Sequence, residues 1–228
     1  MSRHIILIVS LISLVSIAQS LENNSTEQSQ NITASVQEEF KVLASGFSQP
    51  YNTGARFAFL VENTNSTTSF QYSKYQVAAY DSSGTVLGTS SGEIYLIFPD
   101  EKLGKAGTIN TPENTRISRL EIQIRPGEAR MSQVKENPLS AENAKYLSGR
   151  YDAKVTGIVK SNWDKDLDTV DVAAILYDSN GAIIDGGTGI VEFVPAHGQA
   201  AVEVQMTLGR EPAKVELYPS IMDPMQIR

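Results

Sequence analysis

From Phe40 onward the chain is built of short apolar runs broken by Gly, Pro, Asn and Asp. The dominant period in these runs is two. In Val170-Asp171-Val172-Ala173-Ala174-Ile175-Leu176-Tyr177, one face collects Val170, Val172, Ala174 and Leu176. A period of two is the spacing at which side chains return to the same side of an extended chain, so these runs predict strands. They follow one another every ~8–12 residues, the rhythm of a sandwich or barrel. Helical periodicity is scarce. The best helical candidate is Ser140–Tyr146, inside a stretch from Asn137 to Gly149 that reads as a long loop.

The first 36 residues break this pattern. Arg3 and His4 precede a nearly unbroken apolar run from Ile5 to Ile17, and Ala18-Gln19-Ser20 then places small residues around a cleavage position before Leu21. The run is shorter than the ~18–20 residues that a membrane-crossing helix needs, so 1–20 is expected to be a signal peptide. Residues 21–36 are rich in Asn, Ser, Thr and Gln and have no hydrophobic period, which predicts a flexible linker. Asn23, Asn24 and Asn31 stand in N-x-Ser/Thr context there, and Asn65 does so further on. In an exported chain these four are candidate glycosylation acceptors.

An internal correspondence organises the rest. Tyr80-Asp81-Ser82-Ser83-Gly84 returns 97 residues later as Tyr177-Asp178-Ser179-Asn180-Gly181, each at the end of an apolar run. Downstream, Glu93–Pro99 faces Ile190–Pro195, and Ile117–Ile124 faces Ala213–Tyr218. In each copy a strand runs into a tight turn whose glycine takes a left-handed backbone and whose Asp can bond nearby amides. A period near 97 suits a whole domain, so two β-sandwich domains are expected at 37–125 and 126–228. Pro126-Gly127 is the expected joint.

Leu176-Tyr177-Asp178, with Ser179-Asn180-Gly181 behind it and an apolar strand ending at Pro195, resembles the FxLYD family. The resemblance covers the second copy more fully. The first carries Ala79-Tyr80-Asp81, and Ala174 and Val77 stand where the family name has Phe. It implies an all-β fold of tandem Ig-like antiparallel sandwiches in an exported or envelope protein, and implies no activity.

Composition narrows the chemistry. There is no cysteine, which removes disulfides, thiolate metal sites and a thiol nucleophile. A net charge of −7 without a basic cluster argues against a nucleic-acid partner. Gly88-Thr89-Ser90-Ser91-Gly92 satisfies G-x-S-x-G, but a strand is predicted after it where a nucleophile elbow needs a helix. His197 is the one histidine beyond the signal segment and falls in a turn. Asp164, Asp166 and Asp168 have the D-x-D-x-D spacing of a calcium loop, a weak metal candidate because Thr169 and Ile175 replace the loop's glycine and closing Glu.

The expectation is therefore a secreted or cell-surface protein that is no enzyme and needs no cofactor. It would bind, space or scaffold an unknown protein or surface partner, without membrane insertion of the mature chain. A second reading is an accessory subunit pairing through an edge strand; a third is an enzyme with an unrecognised carboxylate site.

Overall fold

The computed structural model describes residues 39–131, 133–150, 152–207 and 209–227. The expected signal peptide and linker, with Asn23, Asn24 and Asn31, lie outside them. The described residues belong to one compact unit and carry strands throughout, with a single 3-10 turn at Pro224–Ile227. The expected all-β class holds.

The strands run β1 (Phe40–Tyr51), β2 (Gly54–Asn63), β3 (Thr68–Tyr80), β4 (Val86–Ile97), β5 (Lys102–Asn110), β6 (Arg119–Arg125) and β7 (Glu128–Met131). They continue as β8 (Leu139–Ser148), β9 (Asp152–Ser161), β10 (Leu167–Tyr177), β11 (Ile183–Val194), β12 (Gln199–Thr207) and β13 (Lys214–Ile221). All pairings are antiparallel. Two sheets form in the first half, β1-β2-β5 and β4-β3-β6 with β7 also on β3. Two form in the second half, β8-β9-β12 and β11-β10-β13, in the same relative order.

Local backbone details recur between the halves. Asp81 accepts from the amides of Ser83 and Thr85 at 2.8 and 2.9 Å, and Asp178 accepts from Asn180 and Ala182 at 2.9 and 3.0 Å. Gly84 and Gly181 take φ +86° and +80°, the left-handed region that the turn requires. Tyr72 and Thr169 also have positive φ, at 56° and 57°. There the in–out alternation slips by one: Phe70 points inward before Tyr72, then Tyr75 and Val77 after it; Leu167 precedes Thr169 as Val170 and Val172 follow.

Each pair of sheets encloses an apolar core. Phe57, Phe59, Val61, Val77 and Ile94 centre the first, and Val155, Val172, Ala174, Leu176 and Val204 the second. A third cluster joins the halves. Ala58 and Ala106, on the outward face of β1-β2-β5, meet Ala173, Ile175, Tyr177 and Ile183 of β11-β10-β13. The molecule is therefore a stack of four sheets, with β2 and β10 buried on both faces. Small residues permit the close approach: a Cβ on Gly46 would overlap the backbone carbonyl of Ile183, and Gly186 lies against Ala58 and Ala106.

Two sequence expectations are corrected here. Ser140–Tyr146 is no helix, and Asn137–Gly149 is no long loop: both fall on β8, which pairs with β9 along its length. The polar, Ala-containing sequence resembles a helix former only in isolation. Ladder hydrogen bonds to β9 outweigh that propensity, and the left-handed Asn143 breaks the register where the alternation is poorest. In addition, β7 pairs with β3 beyond Pro126-Gly127, so the first half's sheet continues past the expected joint.

Candidate functional site

The junction between the inner sheets carries the charge chemistry. Arg56 leaves the outward face of β2 and meets Asp185 of β11, Nε donating to Oδ1 at 2.9 Å and Nη2 to Oδ2. Nη2 also donates to the carbonyl of Thr207 at 3.1 Å, and the Gly186 amide donates to Asp185 Oδ1 at 2.8 Å. Both side chains are buried, at 7% and 3% exposure. Arg56 Nη1 is buried without a partner. Lys105 Nζ contacts Asp171 Oδ2 at 2.5 Å, again across the halves and again largely buried. Beside them, Tyr218 donates to Glu216 at 2.6 Å and lies 3.2 Å from the Tyr177 hydroxyl. Burial pushes the Tyr177 hydroxyl up to about 12, so it stays protonated at neutral pH.

At one end of this junction a cleft of about 620 Å³ opens between β1, β6 and the turn joining β10 to β11. Ser45, Phe47 and Ser48 form one wall and Ile183 the other, with Arg119 and Arg210 at the sides. Arg119 lies 3.7 Å over the Tyr80 ring, and Arg210 sits 3.7 Å from Asp178. Both guanidinium groups are mostly exposed, so these pairings contribute little stability.

A second carboxyl lies where the halves meet at the far end. Glu101 accepts from the Phe98 amide and from Asn137 Nδ2, each at 2.7 Å. Asn137 also donates to the Pro219 carbonyl at 3.1 Å, tying the connecting segment to β13. Burial raises the Glu101 carboxyl to about 7, outweighing the two hydrogen bonds that favour the ionised form. A raised folded-state value means the folded chain holds this proton more tightly than the unfolded chain. Its contribution is fully present below pH ~4.5 and is lost as pH rises through ~7. Partial solvent access limits the loss to ~2 kcal/mol. Carboxyl carbon shifts should show Glu101 titrating near 7. A midpoint below 5 would remove both the effect and its cause.

The sequence-predicted site residues are spread over the surface. Asp164 Oδ1 lies 2.9 Å from His197 Nε2, with both side chains exposed, and Asp166 Oδ1 accepts from the Ala196 amide at 2.8 Å. The Asp168 backbone is bound by Gln226. Among the described residues no three His, Cys, Asp or Glu side chains gather as a metal site. His197 itself is a turn residue with φ +51°. Gly88–Gly92 lies wholly within β4, with the Tyr75 ring filling the space beside Gly92. Asn65 is partly buried, and its Nδ2, the atom a glycan would join, is enclosed without a partner. Trp163 packs at the rim of the second core and donates to the Gln226 carbonyl at 3.1 Å.

Sequence reading missed Arg56, Lys105, Asp171 and Asp185. The available signal was charge inside otherwise apolar strands: Arg56 interrupts Ala55–Val61, and Asp185 follows Ile183-Ile184.

No family model and no curated protein sequence matches the chain. Among solved structures, the crystal structure of red sea bream transglutaminase is similar over 80% of this chain and 31% of that chain, at 8% identity and a TM-score of 0.26. The chain spans about a third of that protein's length, and a likeness of this size carries no argument.

Proposed function

We propose that the chain is an exported, non-enzymatic module in which two sandwich halves, strands β1–β7 and strands β8–β13, act as one rigid body that binds, spaces or scaffolds a surface partner. The carrying observation is the junction: two inner sheets packed through small residues and tied by buried Arg56–Asp185 and Lys105–Asp171 contacts. Domains joined by a large apolar contact do not swing freely. The recurrence of strand order, turns and left-handed residues at 97-residue spacing supports a duplicated unit. The apolar segment at Ile5–Ile17 supports export.

Spin labels on Ser83 and Glu203, one in each half, test this reading. A single narrow distance distribution is expected, unchanged on adding urea below the unfolding transition. A broad distribution would mean two independent domains on a tether.

A second reading has its own observation. β4 is a twelve-residue edge strand, paired only with β3, whose one charged side chain is Glu93. Edge strands normally carry Lys, Pro or a bulge that blocks pairing with another chain; β4 has one such irregularity, at its start opposite Ala79 and Tyr80, and keeps an unshifted register from Gly88 to Ile97.

A further inference from the structure

A cavity of about 290 Å³ lies away from the cleft, between β3, the end of β4, β7, the connecting segment and the C-terminal turn. Leu96, Phe98, Val134 and Ile227 give it an apolar wall, and Ser69 and Gln71 of β3 line its floor. Both residues are more than nine-tenths buried, at 4% and 8% exposure. Ser69 Oγ donates to the Arg130 carbonyl at 3.3 Å and keeps its lone pairs as acceptors. The Gln71 side-chain amide is hydrogen-bonded to no described residue. The amide is not sealed off, so water entering the cavity serves it in the empty site, and an occupant's amide can take that water's place. The strand thereby holds a donor and an acceptor at the bottom of an apolar pocket, the arrangement by which such pockets orient a ligand.

The lining also limits the charge of an occupant. Arg130 is the charged residue at the rim, and its guanidinium is bound to Glu128 at 2.7 Å. Among the described lining residues, no unpaired charge faces the cavity. The space equals that of roughly ten liquid waters, enough for one branched or aromatic group and the amide beside it.

We infer that this cavity binds a neutral ligand in which a compact apolar group adjoins an amide, the amide pairing with Gln71 and the apolar group resting on Leu96, Phe98 and Ile227. A free small amide and an apolar residue within a peptide share this chemistry. The inference goes beyond the spacing role and does not depend on it.

The test uses the full chain labelled with nitrogen-15 and three probes: N-acetyl-leucinamide, N-acetyl-Ala-Leu-Ala-amide and methyl 4-methylpentanoate. Saturable shifts of the Gln71 side-chain amide and the Leu96 and Phe98 backbone amides are expected with one or both amide probes. The better of the two identifies the source. The ester has the apolar group without the amide N–H and should bind at least tenfold more weakly. Gln71→Leu should lose at least tenfold in amide affinity while melting no lower than the wild type. Three results would overturn the inference: no saturable shift with either amide, equal binding by the ester, or unchanged affinity in Gln71→Leu. A Gln71→Leu variant that melts well below the wild type would also overturn it, since Gln71 would then be structural.

Discussion

Replacing Asp185 by alanine is expected to lower the unfolding free energy by about 3–5 kcal/mol, read from urea denaturation at pH 7. The carboxylate supplies two of the three hydrogen-bond acceptors of the Arg56 guanidinium, and the Arg56 side chain is only 7% exposed. Removing it leaves a buried cation with only the Thr207 carbonyl. The double replacement Arg56→Met with Asp185→Leu removes both charges and should recover most of that loss, because a buried ion pair exchanged whole for apolar groups is often near neutral. The contrast between the single and double variants separates an orphaned charge from a general loss of packing. A single variant within 1 kcal/mol of wild type would mean that water reaches the pair.

Gly46→Ala is the second large effect. The added methyl group would occupy the position of the Ile183 backbone carbonyl, and no side-chain rotation can relieve a clash with main chain. Either β1 shifts from β11 or the inner sheets part. A loss of about 2–3 kcal/mol is expected, near the top of the range for overpacking, with faster amide exchange at Ile183 and its neighbours. Gly84→Ala is the comparison: its φ is +86° but the space around it is open. It should cost only ~1 kcal/mol and leave exchange at the junction unchanged. If Gly84→Ala proves the worse of the two, the close approach at Gly46 is not a feature of the protein in solution.

Much of the fold is legible in alternation and turn chemistry. Tyr80-Asp81 and Tyr177-Asp178 end β3 and β10 and cap the following turns with the same pattern of accepted amides. These are local properties, set within five residues, and a sequence displays them directly. The stacking of the halves is carried by the other face of the same strands. Ala173, Ile175 and Tyr177 alternate with Val172, Ala174 and Leu176, so β10 is apolar on both sides. Such a run signals burial on two faces. Counting one face predicts the sandwich and stops short of its neighbour. β8 is the opposite case: its residues are largely exposed, and only the ladder to β9 makes them a strand. The Arg56–Asp185 pair is illegible as a pair, because 129 residues separate its members and nothing local to either requires the other.

The faces turned away from the junction are of a different kind. On β9, β12 and β8, Lys154 pairs with Glu203 at 2.6 Å and Lys160 with Glu142 at 2.8 Å, all with water access. On β6, Arg119, Glu121 and Gln123 form a similar polar row. Among the described residues, the outermost sheet on each side therefore turns rows of paired charges and amides to water. With packed sheets about 10 Å apart, the four sheets of the described unit set a fixed thickness, roughly 30 Å from the first layer to the last.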